Sequence, residues 1–237
     1  MSLGKTQKKK GLKKKTGERF LKKEWWKIRA PGMFAERTVC VAPVNQTEGE
    51  KFSHESMKGR VFTVSLGDLN QTHPHKKIKL VVDEEQEKGN KVALTNFYGL
   101  DTTRDHLCSL IRKWHTIVDC HVDAKTTDGF LMRVFCTALT KKAKNQQRAT
   151  SYANTNQTKL LRKIMNTVIA KEVKKASLKE LVPKLMTDVI SEEITKRAKK
   201  IFPIQNCVIR KVKTIKRPRF DSKLFYYFSD SIIKHAC

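Results

Sequence analysis

Residues 93–142 have the most regular pattern in the chain, and this stretch constrains the fold more than any other feature. Apolar and polar residues alternate over 94–98, which is typical of a strand, and Gly99 then predicts a break. Further along, five apolar residues recur at helical spacing and predict a central helix with one apolar stripe: Leu107, Leu110, Ile111, Trp114 and Val118. The stretch is also weakly charged, with 7 Lys and Arg against 5 Asp, so we expect it to form the core.

Short strand-like runs surround the predicted helix. Asp128-Gly129 separates two of them, 121–126 and 130–139, and Asp-Gly tolerates the positive φ values of a tight hairpin turn. Four more runs precede the helix, each rich in β-branched or aromatic residues: 38–44, 60–66, 77–82 and 92–97. This pattern predicts an α+β fold, in which the central helix packs on a mostly antiparallel curved sheet or barrel.

Positive charge is concentrated in three blocks, and the whole chain carries a formal net charge of +27. Residues 1–31 hold 12 Lys and Arg against 2 Glu, residues 141–175 hold 10 against 1, and residues 196–219 hold 10 against none. The rest of the chain nets −2, so a nearly neutral body carries three cationic stretches. A surface that served only solubility would mix the two signs, so this distribution indicates a protein that lies on a polyanion.

Changes in composition divide the chain into four parts. Beyond residue 142 it becomes basic, with apolar residues at helical spacing over 158–175, a capping box at Ser177 and Glu180, and a strand-like run over 207–215. We expect a disordered basic tail (1–23) that binds the polyanion, a β-rich core with the central helix and hairpin (24–142), a basic arm with helices and the last strand (143–220), and a C-terminal tail (221–237).

The sequence predicts a cytosolic or nuclear protein with no membrane partner. No run approaches the roughly 18 apolar residues that cross a bilayer. No apolar segment follows the charged N-terminus as it would in a signal peptide. The six cysteines form no C-x-x-C pair, and we expect them to be free thiols.

The basic blocks favour nucleic acid as the polyanion, because lysines and arginines in loops and tails can follow phosphates. No helix-turn-helix, zinc-finger or RNP pattern is present, so we expect recognition of shape and backbone, as on folded RNA. The basic side chains expected to contact RNA, including one arginine on the outer side of the predicted helix over 158–175, are Lys8, Lys9, Lys10, Lys13, Lys14, Lys15, Lys141, Lys142, Lys144, Arg148, Arg162, Arg210, Lys211, Lys213, Lys216 and Arg217.

Two adjacent tryptophans follow the basic tail and have two possible roles. Trp25 and Trp26 could stack on bases or pack against the protein core, and the sequence does not decide between these.

An enzyme is one alternative to an RNA-binding protein, and a free RNA- or chromatin-binding protein is another. Five aspartates could suggest a metal-dependent nuclease: Asp101, Asp105, Asp119, Asp123 and Asp128. However, Asp101 and Asp105 suit the start of a helix, and Asp128 suits the hairpin turn. His73 and His75 have no Cys or carboxylate at a spacing that zinc sites use. We therefore predict no catalytic residue, no metal site and no cofactor.

Six stretches, in this order, resemble one known family over nearly the whole chain: KEWWKIRAPGMF (23–34), MKGRVFTVSLGDL (57–69), LTNFYGLDTTRD (94–105), HVDAKTTDGFLMRVFC (121–136), RATSYANTNQ (148–157) and VIRKVKTIKRPRF (208–220). Through these stretches the chain resembles the eukaryotic small-subunit ribosomal proteins called "S three a" or "eS one".

The resemblance implies a structural, non-catalytic protein on the platform of the small subunit, near the mRNA exit. It implies small-subunit rRNA and neighbouring small-subunit ribosomal proteins as partners, with mRNA and an initiation factor close by. It implies roles in subunit assembly and translation initiation, on the cytoplasmic ribosome and in the nucleus and nucleolus during assembly. It also adds Tyr152 to the expected RNA contacts. The acidic tail typical of this family is missing after residues 225–228, so any partner that reads such a tail is not expected here.

Overall fold

The structure is a computed structural model that describes residues 20–86 and 91–218. Within them lie eight strands: β1 (Lys23–Arg29), β2 (Thr38–Asn45), β3 (Val61–Ser65), β4 (Lys76–Gln86), β5 (Val92–Thr102), β6 (Ile117–Lys125), β7 (Leu131–Thr140) and β8 (Ile204–Lys216). The same residues form six helices: α1 (Ser53–Met57), α2 (Leu66–Asn70), α3 (Arg104–Leu110), α4 (Thr155–Lys175), α5 (Leu178–Met186) and α6 (Val189–Ala198). None of these helices has the length and apolar character that a membrane crossing requires.

The strands form a mostly antiparallel sheet with the order β2-β1-β5-β8-β7-β6, and β3 joins it through β4, which pairs with β5. β1 and β5 run parallel over a short stretch, whereas the other described pairs are antiparallel. The predicted α+β class and mostly antiparallel sheet are confirmed. In the part of the chain that the structure describes, the sheet is open and does not close into the barrel that the sequence left as an alternative.

The predicted hairpin is present as β6 and β7. Its turn contains Gly129 with φ +87°, a value that glycine adopts without strain. Thr126 N donates to Phe130 O at 2.9 Å and closes the turn. The strand-like runs 38–44, 60–66 and 77–82 correspond to β2, β3 and β4.

Strand β5 continues through Gly99, where the sequence predicts a break. Tyr98 is bulged out of the ladder with β4, directly before Gly99. On its other side Gly99 pairs with Lys213 of β8, and a Cβ at Gly99 would lie only 2.6 Å from the carbonyl oxygen of Val212. The glycine therefore permits a close approach between two strands, which is a recurring use of glycine inside sheets.

We expect Gly99→Ala to lower the free energy of unfolding by about 2 kcal/mol, because the atom that the new methyl group meets belongs to the backbone of β8 and cannot turn aside. Urea denaturation measures this change. Gly32→Ala is the matched control, since a Cβ at Gly32 meets nothing within 4 Å, and we expect it to change stability by less than about 0.5 kcal/mol. Equal unfolding midpoints for the two variants would contradict the prediction.

The prediction of a central helix from Leu107 to Val118 is wrong in both the length and the packing of that helix. Helix α3 ends at Leu110, Ile111 has extended backbone angles, and Val118 lies in β6. Ile111 and Trp114 are exposed instead of forming a buried stripe. The physical reason is that the β-branched residues from Thr116 onward pair with β7, so the helix has to end before them.

The helical layer on the sheet comes from the C-terminal part of the chain. Helix α4 packs on β6, and its buried side chains recur every three or four residues: Leu161, Met165, Val168, Ile169 and Val173. The capping box predicted at the start of α5 is present, and Glu180 accepts from Ser177 N at 3.3 Å. The chain then returns through α6 to β8, which lies in the interior of the sheet, between β5 and β7.

The two adjacent tryptophans point to opposite sides of β1. Trp26 is fully buried in a small cluster with residues of β2, α1 and β5, whereas Trp25 is about half exposed. This difference follows from the alternation of side chains along a strand. Trp26 therefore packs in the protein core, and Trp25 lies on the surface.

Candidate nucleic-acid interface

Helices α4, α5 and α6 cover one face of the sheet, and the central strands carry partly exposed side chains on the other face, with α3 at its edge. On the covered face, alternate residues of β7 and β8 such as Val134, Cys136 and Val212 are buried. The residues between them lie on the opposite side, which we call the open face. Two neighbouring cross-strand rows define it: Lys77, Asp101, Lys211, Phe135 and His121 in one row, and Lys79, Gly99, Lys213, Arg133 and Asp123 in the next.

A β-bulge in β8 adds one more cation to the open face. Phe135 pairs with Lys211 and Cys136 pairs with Ile209, so Arg210 is an extra residue without its own partner in β7. Ile209 and Val212 are buried, while Arg210 and Lys211 between them are both partly exposed. Bulges commonly redirect a side chain in this way. Regular alternation would place Arg210 and Lys211 on opposite faces, and the bulge places them on the same one.

Phe135 lies at the centre of these cations. The guanidinium carbon of Arg210 is 5.9 Å from the ring centroid, and Nζ of Lys213 is 5.8 Å from it, which are cation–π distances. The ring of His121 is 6.1 Å away on the neighbouring strand. An aromatic ring among cations offers a nucleic acid both a stacking surface and partners for phosphate.

Two carboxylates on the open face are already paired with cations. Asp101 lies 3.3 Å from Nζ of both Lys79 and Lys211. Arg133 donates two hydrogen bonds of 2.6 Å to Asp123, and these bonds hold the pKa of the Asp123 carboxyl below its usual range. Six cations and two carboxylates therefore occupy the two rows and the bulge, so the open face is positively charged.

Two of the arginines predicted to contact RNA form hydrogen bonds within the protein. Arg217 donates to the Asp83 carboxylate at 2.8 Å and lies 5.2 Å from the ring of Tyr98. Arg162 on α4 donates to the backbone oxygen of Asp119 at 3.1 Å. These arginines stabilise the fold around the open face, and a phosphate would have to share them. Lys216 is exposed at the end of β8.

The loop after β7 carries a second group of predicted contacts. Lys141, Lys142, Lys144 and Arg148 are all exposed. Gln146 holds the loop together, because its amide nitrogen donates to the backbone oxygen of Thr150 at 2.5 Å and to that of Arg148 at 3.3 Å. Tyr152 follows at the end of the loop, with 58% of its side chain exposed. The structure thus presents four cations and one aromatic ring on one loop.

The six predicted contacts in the basic tail, Lys8–Lys10 and Lys13–Lys15, lie outside the described residues. The expected disorder of residues 1–23 falls mostly on the same part of the chain.

The five aspartates that suggested a metal-dependent nuclease have different interaction partners in the structure. Asp101 and Asp123 are ion-paired, Asp119 accepts from the Thr137 hydroxyl at 2.5 Å, and Asp128 accepts from Leu178 N at 2.6 Å. Asp105 is exposed in the first turn of α3. Among residues 20–86 and 91–218, no group of three or more His, Cys, Asp or Glu is placed to hold a metal ion.

Two titratable side chains of the described residues, His75 and Cys136, have shifted pKa values that the packing around them explains. The rings of His75 and His106 stack at 4.1 Å, and burial together with the charge of His106 lowers the pKa of His75. Cys136 is buried beside Cys120 and Cys207, and these thiols together with burial raise the pKa of Cys136 well above its usual range. Cys136 therefore stays a protonated core thiol, which is a poor nucleophile.

Sequence reasoning missed two aromatic residues of this surface, and a signal for one of them was present. Phe135 occupies the outward register of β7, between Arg133 and Thr137, where a polar residue would be the ordinary choice. Trp114 could not be recognised, because the predicted helix placed it in the core.

A comparison with protein-family models gives one match, which covers residues 11–218. The matched model is described as the Ribosomal S3Ae family.

Proposed function

The chain belongs to the Ribosomal S3Ae family of small-subunit ribosomal proteins, and from this membership we propose that its open face binds small-subunit rRNA. Proteins of such a family are typically structural parts of the ribosome and not enzymes. The membership implies a location on the ribosome, together with rRNA and other ribosomal proteins.

The observation that carries this proposal is the arrangement of Arg210, Lys211 and Lys213 around Phe135. The bulge in β8 adds Arg210 to the side of the sheet that carries Lys211 and Lys213, and Arg210 and Lys213 lie within 6 Å of the aromatic ring. Lysines and arginines neutralise phosphates and release counterions, which supplies most of the affinity of sequence-independent binding. Folded RNA is recognised largely by its shape and its backbone, which suits a charged sheet surface.

The other predicted contacts extend this surface in the proposal. Lys141, Lys142, Lys144 and Arg148 bind phosphates from the loop after β7, and Tyr152 presents its ring beside them. Lys216 extends the row of cations on β8, while Arg162 and Arg217 act from positions that the protein already fixes. The basic tail, with Lys8–Lys10 and Lys13–Lys15, binds rRNA as well.

We also propose, on the resemblance to the family, that the protein supports subunit assembly and translation initiation near the mRNA exit. Neighbouring small-subunit proteins would then cover part of its surface, with mRNA and an initiation factor close to it. Assembly would bring it into the nucleus and nucleolus before it works on cytoplasmic ribosomes.

Sedimentation of the tagged full chain from a cell lysate tests the proposal directly. We expect stoichiometric co-migration with the small subunit on sucrose gradients at low salt and at about 0.5 M salt, because an integral ribosomal protein is held by more than surface charge. Migration at the top of the gradient, or release only at the higher salt, would contradict it and favour a free RNA-binding protein.

A further inference from the structure

Large apolar side chains are exposed together at the corner where α3 meets the loop after β7. Ile111 is 64% exposed, Trp114 is 55% exposed and Tyr152 is 58% exposed. Surface hydrophobic residues are ordinary when single, but a group that includes two aromatic rings indicates a contact with another molecule.

Backbone contacts join the two segments that carry these aromatic residues. Ser151 N donates to Trp114 O at 2.8 Å, and His115 and Ser151 form a parallel β-bridge. Ser151 is only 2% exposed, and its backbone oxygen accepts from the hydroxyl of Thr140 at 2.6 Å. Ser151 is buried and His115 is half-buried, whereas Trp114 before the bridge and Tyr152 after it are both exposed, at offset positions of the two segments.

The backbone at Trp114 is strained in a way that supports a function. Its φ is +67°, in the left-handed region that bulky residues rarely adopt. Such a conformation has an energetic cost and persists where the surroundings fix it, commonly at binding sites. The bonds to Ser151 fix it here and keep the indole ring outside the core.

Exposed cations flank both aromatic residues in the chain. Arg112 and Lys113 directly precede Trp114 and are exposed, and the loop that leads to Tyr152 carries Lys141, Lys142, Lys144 and Arg148. Lysine is depleted in the cores of protein–protein interfaces, which argues against a protein as the occupant. Exposed aromatic rings beside a basic track are the combination that binds unpaired nucleotides.

We propose that Trp114 and Tyr152 form a stacking platform for unpaired nucleotides of the bound RNA. This inference rests on the proposed function, and it specifies that this corner takes single-stranded RNA, whereas phosphate contacts on the open face suit folded RNA. A base inside a duplex already stacks on its neighbours, so only an unpaired base can offer its face to the rings.

Binding of two labelled RNAs to the full chain tests the platform: an oligouridylate of about 12 nucleotides and a blunt RNA duplex of the same length, both at about 0.15 M salt. We expect Trp114→Ala and Tyr152→Ala each to weaken oligouridylate binding by roughly tenfold and to leave duplex binding unchanged. Trp114→Phe and Tyr152→Phe should retain most of the affinity, because a ring remains.

Two further variants control for folding and for aromatic residues in general. Trp25→Ala removes a tryptophan that is 52% exposed on β1, and we expect no change in binding of either RNA. Trp114→Gly removes the ring but suits the positive φ, so it should fold at least as well as the wild type and still lose oligouridylate binding.

Wild-type oligouridylate affinity in the alanine variants would overturn the platform, and so would an equal loss of single-stranded and duplex binding. In both cases the wild-type protein still binds duplex RNA, so the proposed rRNA binding stands. A wild-type chain that binds neither RNA and does not co-sediment with the small subunit would overturn the proposed function together with the platform.

Discussion

Replacing Arg210, Lys211 and Lys213 together with alanine is expected to weaken binding of small-subunit rRNA by roughly 100-fold. A hydrogen bond between charged groups contributes about 1.5 kcal/mol or more, and about 1.4 kcal/mol corresponds to a tenfold change in affinity. We expect a smaller loss of affinity than three full contacts would give, because Lys211 is already paired with Asp101, which it shares with Lys79. The measurement is binding of the full chain to a labelled fragment of small-subunit rRNA over a range of salt concentrations.

The salt dependence separates phosphate contacts from a general loss of structure. Each phosphate contact that is lost should reduce the slope of log affinity against log salt by about 0.9 on duplex regions and about 0.7 on single strands, so we expect a reduction of roughly 2 to 3 for the triple variant. A protein that merely misfolds would lose affinity without this defined change in slope.

The matched control removes the same number of charges from another part of the surface. Lys27, Lys51 and Lys58 are exposed on β1 and around α1, away from β8. Their joint replacement with alanine lowers the net charge by the same amount, so we expect only a small effect from the reduced overall field. If the control weakened binding as much as the triple variant, the open face would have no special role, and the affinity would come from net charge alone.

Lys76→Ala is expected to lower the free energy of unfolding by about 3 kcal/mol, the largest effect on stability that we predict for a single residue. Lys76 is 1% exposed on the covered face of β4. Its Nζ donates to Met186 O at 2.8 Å, to Asp188 Oδ1 at 2.9 Å and to Leu185 O at 3.4 Å. Alanine would leave these acceptors between α5 and α6 without their donor, which costs more than the bonds themselves contribute.

Urea denaturation at constant salt measures this change, and two variants divide it into its parts. Lys76→Met keeps the length of the apolar stem and removes the ammonium group, so it should recover the packing part of the loss only. Lys77→Ala removes the neighbouring exposed lysine on the open face and should change stability by less than about 0.5 kcal/mol. A loss for Lys76→Ala as small as that for Lys77→Ala would show that the buried ammonium group does not hold α5 and α6 on the sheet.

The buried lysine also shows a limit of sequence reasoning. Lys76 stands beside Lys77, and strand alternation places Lys76 on the side of Ile78 and Leu80, but a lysine in a basic run gives no sign that its ammonium group will be buried. Only the position of β4 under the α5–α6 connection, more than 100 residues away in the chain, makes one of them a core residue. The charge count of the sequence placed both lysines in the nearly neutral body of the chain, and it likewise could not separate them.

Several parts of the fold follow from local physical chemistry, and the sequence alone predicted them. Asp128-Gly129 supplies the backbone freedom of the hairpin turn, the apolar spacing over 158–175 predicts the buried stripe of α4, and Ser177 with Glu180 marks the start of α5. Each of these signals depends on residues close together in the chain, so no knowledge of distant partners is needed. The six stretches that resemble the ribosomal family were also sufficient to predict the membership that the family model confirms.

Only the tertiary structure decided which cationic and aromatic side chains lie together on the surface. Strand β8 inserts between β5 and β7, and its bulge against Phe135 turns Arg210 and Lys211 to one side, although strand alternation predicts opposite sides. The end of α3 at Leu110 moves Trp114 from a predicted core stripe to the surface. In both cases pairing between distant strands overrides a local preference, because a strand register is fixed by the partner and not by the segment itself.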